Sequence, residues 1–412
     1  MTPIEATASR PQQRRAPLYL SSLACLGFVI TATSVSAEPA RSGAADPQAY
    51  PRLTLEVDLN LYGIGTPYAS EARRKGFSGF LFGHINPALH LTPEFSLQAF
   101  LHPDPAGDFE PNGAVTFLRR QNVILEQLFG EWRPVEGLQL YAGKFNAPFG
   151  YGHEAFPGVL AAFRAHDIYL IREQVGMGVN WALPAPESWG EHTLSAAIFT
   201  LDTSFLANSL ITRQRCCDPG FNRYVRTTLR QGGAGNTGQS DNVALSLEGK
   251  AIPALPGLTY NLGLLSRGPG KDGTRREWAW AAGLRYEHAW TEELRMLAFG
   301  EFVEFRNAEG NPLEQDENGA ERPVSERRRF FTIGAQLLIG AWRATLVWQR
   351  DAAKRSFNTL PTQNWLEISG GRELGWSFGL DVGYQYARFV RDDRSPGEAH
   401  SIVGRLNYRF GD

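Results

Sequence analysis

From residue 53 onward, apolar and polar residues alternate with a period of two, many times over. Leu53, Leu55, Val57, Leu59 and Leu61 are separated by Thr54, Glu56, Asp58 and Asn60. That is the pattern of a strand with one apolar and one polar face. A second segment sets Leu81, Ile85, Leu89 and Leu91 against His84, Asn86 and His90. A third sets Phe95, Leu97, Ala99 and Leu101 against Ser96, Gln98 and His102. Clean alternation returns at 278–286, 331–339, 342–348, 376–386 and 402–410, whereas 121–133 and 293–306 alternate too poorly to assign their faces. The chain reads as sixteen candidate strands of about 8–15 residues each.

The gaps between these strands sort by length. Long ones at 63–79, 103–120, 146–173, 202–240, 268–276 and 307–328 alternate with short ones such as 92–94, 134–136, 290–292, 340–341 and 371–373. A soluble sandwich has no reason to keep two alternating classes of connection, but a transmembrane barrel with outer loops and inner turns does. A tilted strand crosses the hydrocarbon layer in roughly 9–11 residues, and only every second residue must be apolar. The predicted fold is therefore all-β: a transmembrane antiparallel β-barrel of about 16 strands over 53–410. This accounts for a composition of 42% hydrophobic, 12% aromatic and 20% charged residues, too polar for a helical membrane bundle and too apolar for a disordered chain. Aromatics gather at predicted strand ends, among them Trp132, Trp181, Trp278, Trp342 and Trp376, where an interfacial belt sits.

The first residues read as a signal peptide. Arg10, Arg14 and Arg15 precede an apolar run from Ala16 to Ile30, and Val35-Ser36-Ala37 fits a cleavage site. The expected division is a leader over 1–37, a short periplasmic segment over 38–52, and the barrel. A leader with three arginines and one glutamate takes the formal charge from −2 to −4. That value gives no support to nucleic-acid binding. Export leaves only the adjacent Cys216 and Cys217, which have no metal-site or redox spacing. His153-Glu154 lacks the second histidine of a zinc-binding helix, no histidine has serine two positions on, and Gly263–Lys271 misses the phosphate-loop spacing. Neither a cofactor nor a catalytic site is expected.

The run Gly143-Lys144-Phe145-Asn146-Ala147-Pro148-Phe149-Gly150 closes a predicted strand. Here the chain resembles Gram-negative outer-membrane porins, most of all the branch that holds the phosphate-selective porins O and P. The terminal strand from Ile402 to Phe410, with Tyr408 and Phe410 as its aromatic signal, is similar to the segment read by the barrel-assembly machinery. It departs from that pattern in that Gly411-Asp412 follow the aromatic. The resemblance implies a water-filled, trimeric channel that passes small hydrophilic solutes by diffusion. It also implies that the third long loop, 146–173, folds into the lumen as a constriction. With Lys144, the constriction charges would be His153, Glu154, Arg164, His166, Asp167 and Arg172. Arginine is the natural anion guide, being always charged and fork-shaped. Strand candidates for the pore lining are Arg285, Arg343, Arg405 and Arg409, with the acidic Glu56, Asp58, Glu248, Glu287 and Asp381, and the polar His84, Asn86 and His90. The charged loop 307–328, ending in Arg327-Arg328-Arg329, reads as a solvated contact for lipopolysaccharide or divalent ions. The two competing readings are a ligand-specific uptake channel, for a siderophore as an example, and an outer-membrane enzyme or adhesin.

Overall fold

The computed structural model describes residues 50–151, 156–212, 226–310, 313–315, 321–323, 325–356, 361–391 and 394–411. The leader, most of the 38–52 segment, His153, Glu154 and the Cys216-Cys217 pair lie outside these residues.

Among the described residues, sixteen strands build one closed barrel. They are β1 (Arg52–Ala69), β2 (Gly76–His90), β3 (Phe95–Pro105) and β4 (Gln121–Val135). Next come β5 (Leu138–Phe145), β6 (Gln174–Ala182), β7 (Glu191–Leu201) and β8 (Asn242–Lys250). Then follow β9 (Leu258–Arg267), β10 (Glu277–Ala289), β11 (Leu294–Arg306) and β12 (Glu326–Ile339). The last four are β13 (Trp342–Arg355), β14 (Gln363–Gly375), β15 (Phe378–Val390) and β16 (Pro396–Phe410). Each strand pairs antiparallel with the next, and β1 pairs with both β2 and β16, so the ladder has no edge. Only such closure satisfies every backbone N–H and C=O in lipid.

The two faces separate as the alternation predicts. Leu264, Leu284, Ile333, Leu346, Ile368 and Ile402 are exposed on the outer wall. Asn60, Gln139, Asn180, Asn261 and Gln349 are buried on the inner one. Asn180 donates to Gln139 and Asn261 to Ser246, each at 2.9 Å, so the polar inner face is cross-linked strand to strand.

Three local readings change, each for a physical reason. The predicted loop 63–79 is mostly strand, and the actual connection is 70–75. Gly63 and Gly65 look like loop residues, but they occupy outward positions covered by the Phe77 ring, between the inward and buried Tyr62, Ile64 and Thr66. The predicted turn at 371–373 moves to Trp376-Ser377, both left-handed at φ 51° and 64°, between paired Gly375 and Phe378. Gly371 is instead a wall residue: a Cβ there would lie 2.0 Å from an Asp381 carboxylate oxygen. The disordered alternation at 121–133 comes from a bulge. Phe100 faces Gln127 and Leu101 faces Leu125, which leaves Glu126 extra and flips the strand's parity.

The inside–outside assignment is tested by charge. Ile333→Arg, on the lipid face, should destabilise the barrel by about 2–4 kcal/mol, whereas Gln336→Arg on the luminal face should cost much less. Urea-driven unfolding from lipid vesicles measures both, and equal losses would contradict the assignment.

Candidate functional site: the lumen and its inward loop

Between β5 and β6 the chain leaves the wall and enters the barrel. The entry is built by the glycine- and phenylalanine-rich run. Gly143 takes φ +139°, and a Cβ there would meet the backbone of Leu128 at 2.4 Å. Phe145, Ala147 and Phe149 are buried. The neck is closed by Ala147 N–H donating to the Ile171 carbonyl at 2.9 Å and by Glu173 N–H donating to Asn146 at 3.2 Å. The Asn146 amide in turn donates to Glu126 at 2.8 Å. Past the neck the loop ends in helix α1 (Ala161–Tyr169).

Two wall carboxylates pin the loop. Glu301 of β11 accepts the Tyr151 N–H at 2.6 Å and the Tyr169 hydroxyl. Glu367 of β14 accepts the N–H groups of Val159 and Leu160, the latter at 2.9 Å, just ahead of α1. Gly158 makes room for it, since a Cβ there would stand 2.8 Å from Glu367. Gln349 of β13 donates to the Ala161 carbonyl at 2.9 Å. Phe156 stacks on Phe299 at 5.0 Å between ring centres. On the far side, Phe163 sits among Tyr62, Phe80, Phe82 and Phe109, the last two at 4.4 Å. The loop thus spans the lumen from β1 and β2 to β11–β14.

This packing redistributes the expected constriction charges. Arg164 is only 4% exposed. It bonds Gln385 at 3.1 Å and Glu110 at 3.3 Å, and lies 4.2 Å above the Trp365 ring. It is a packing cation, not a guide facing the pore. Lys144 is 2% exposed and paired with Glu173 at 2.7 Å and Asp202 at 3.1 Å, so it too is withdrawn from the open lumen. Arg172 stays part-exposed, 3.3 Å from Asp104. Asp167 is exposed on α1. Enclosure by the surrounding wall raises its carboxyl above the ordinary range, while Arg172 pulls the other way. His166 lies on α1.

The predicted wall residues are brought together in pairs. Asp381 accepts from Arg343 at 2.6 Å and from Arg405 at 2.8 Å, and Arg343 also reaches Glu373. Asp58 accepts from Arg409 at 3.1 Å and from Asn407 at 2.8 Å. Arg285 bonds Glu287. His90 bonds Thr54 at 3.0 Å, and His84 lies 6.0 Å from His102 between ring centres. Asn86 and Glu248 are half-buried, and Glu56 is exposed near the start of β1. Tyr408 packs against Phe378 at 4.9 Å, and Phe410 is exposed at the end of β16.

No family model and no curated protein sequence matches this chain. Solved structures do. The outer-membrane channel DcaP of Acinetobacter baumannii superposes with a TM-score of 0.54 at 10% identity, over 87% of this chain and 97% of that one. OmpF of Salmonella typhi, in complex with daunomycin, gives 0.52 at 9% identity over 87% and 98%. OmpT of Vibrio cholerae, expressed in the outer membrane, gives 0.50 at 7% identity over 90% and 100%. The barrel has the porin fold. With its apolar outer band it is built for the bacterial outer membrane.

Glu301, Glu367, Gln349 and Glu110, which anchor this loop, are not among the residues that the sequence points to. Glu301, Glu367 and Gln349 sit within strands as ordinary polar positions of the inner face, and Glu110 lies in the connection between β3 and β4; nothing in the local pattern marks them as the loop's partners. Their role is testable. Glu367→Leu leaves two buried N–H groups without an acceptor, at about 1–3 kcal/mol each. The loop should come off the wall, giving larger and noisier single-channel currents. Unchanged conductance in a folded variant would remove Glu367 from this role.

Proposed function

We propose that this protein is an outer-membrane porin: a passive channel for small hydrophilic solutes, narrowed by the 146–173 loop. The observation that carries the reading is the loop itself, drawn across a polar-lined lumen and tied to the wall by Glu301 and Glu367. A fixed obstacle inside a closed barrel sets a size limit without a moving part, and charges at a narrow aqueous passage select by focused field.

Preference for anions such as phosphate, the finer reading carried by the Gly143–Gly150 run, is supported by Arg172. Its guanidinium is part-exposed while Arg164 and Lys144 are buried in pairs. Trimer formation is supported by the outer wall at β4–β8. There β5, β6 and β8 are short, with 8, 9 and 9 residues. An apolar groove of about 810 Å³ runs between Trp132, Leu140, Met177, Ile198 and Leu245. A low wall fits lipid poorly, and small residues such as Gly130 and Ala142 allow a neighbour's close approach.

In planar bilayers the refolded protein should give ohmic steps, and the absence of any conductance would end the porin reading. In a KCl gradient, Arg172→Gln should move the reversal potential toward cation preference, while Arg164→Gln should barely move it. Acidification should move it the opposite way from Arg172→Gln. The raised Asp167 carboxyl loses its negative charge before an ordinary aspartate does, leaving Arg172 less opposed. Asp167→Asn should reduce that pH dependence, the remainder coming from Glu173, whose carboxyl is also raised by burial.

A further inference from the structure

We propose that the outer wall over β11–β15 is a docking site for the phosphate groups of a lipid headgroup, the phosphorylated anchor of lipopolysaccharide in the leaflet at the long-loop rim. The proposal rests on the outer-membrane placement of the barrel and does not depend on whether the lumen conducts.

The strand register lays the patch out in rows. At the rim, Trp278, Arg306, Arg327 and Lys354 stand side by side on four successive strands. The next row is Trp280, Glu304, Arg329 and Ala352. Below it, Phe302, Phe331 and Arg350 continue through Asn364 to Arg388. All share the parity of Ile333 and Leu346, which face lipid. The Arg327-Arg328-Arg329 run is therefore strand and not solvated loop. It points Arg327 and Arg329 outward and Arg328 inward, where Arg328 pairs with Asp351 at 2.8 Å.

Glu304 organises the arginines. It is 2% exposed and accepts from Arg327 and Arg329 at 2.8 Å each and from Arg306 at 3.3 Å. The three arginine side chains stay 44%, 47% and 66% exposed. One carboxylate thus fixes three guanidiniums whose remaining N–H donors face outward. Six cations stand on this wall against Glu304, with Glu398 at the edge beside Arg388. Such an excess at the boundary between water and hydrocarbon calls for anions held at that depth, which are the phosphates of lipid headgroups. Guanidinium suits them through paired, directional bonds. Directly below, Phe331 packs on Trp348 at 5.7 Å, and Phe302 on Trp280 at 4.9 Å. These rings give the acyl chains of the same lipid a surface to lie on. The apolar groove at β4–β8 carries no comparable charge, so the two sides of the barrel are built for different neighbours.

The test uses the refolded full chain in detergent and native mass spectrometry. The probes are bisphosphorylated lipid A, its dephosphorylated form, and inorganic phosphate as competitor. The wild type should retain the phosphorylated lipid. Arg306→Gln/Arg327→Gln/Arg329→Gln should bind it at least about tenfold more weakly, and Arg350→Gln/Arg388→Gln should also bind it more weakly. Both variants should keep heat-modifiable migration and wild-type single-channel conductance. If the triple variant fails to fold, the double variant carries the test. Equal binding of the phosphorylated and dephosphorylated lipids would overturn the proposal. So would wild-type affinity in a folded variant, or displacement of the lipid by an equal concentration of inorganic phosphate. A variant that changes oligomeric state while keeping its lipid would identify the patch as a subunit contact instead.

Discussion

Every part of this structure answers to one constraint: a backbone placed in hydrocarbon must satisfy its own hydrogen bonds. An open sheet leaves a row of N–H and C=O groups at each edge, and lipid offers them no partner. Pairing β1 with β16 removes both edges. Closure then fixes the meaning of each side chain, because alternate residues have no choice but lipid or lumen. Leu264, Ile333 and Ile402 belong to one environment, and Asn60, Gln139 and Asn261 to the other.

A closed barrel of this width encloses space, and the chain uses part of it for its own loop. Bringing backbone into that space raises the same accounting problem as the wall, on a smaller scale. The N–H groups of Tyr151, Val159 and Leu160 have no strand to pair with. Glu301 and Glu367 supply acceptors from the wall, and Gln349 supplies a donor for Ala161. Aromatic packing of Phe156 and Phe163 fills the rest. The charges left open to the lumen are those that this packing does not consume. Arg164 is consumed; Arg172 and Asp167 remain in contact with water.

Charge is handled by the same logic on the two faces of the wall. Inside, cations are matched locally, as in Arg343–Asp381–Arg405 and Arg409–Asp58. Gly371 is required there because a side chain would occupy the space of the first of these networks. Outside, at the rim of β11–β13, the match is deliberately incomplete. Glu304 holds three arginines in place and leaves an excess of positive charge facing the membrane boundary.

The fold was legible in the sequence because period-two alternation reports the inside and outside of a strand directly, and the rhythm of long and short gaps reports antiparallel order. Sixteen strands follow from that alone. Alternation failed where the ladder is irregular or where a charge network replaces the usual side chain. The bulge at Glu126 shifts parity, the outward Glu304 breaks the apolar face, and Gly371 marks room for a charge network, not a turn. The site was legible in its position, since the Gly143–Gly150 run marks where the chain leaves the wall, but not in its chemistry. Arg164 and Arg172 are the same residue type eight positions apart, and no local pattern separates the buried one from the accessible one. That difference is set by Glu110, Gln385 and Trp365 in one case and Asp104 in the other, all distant in sequence. Alternation is a property of neighbouring residues, so the chain itself determines it; burial and pairing inside the lumen are properties of a closed surface, and only closure decides them.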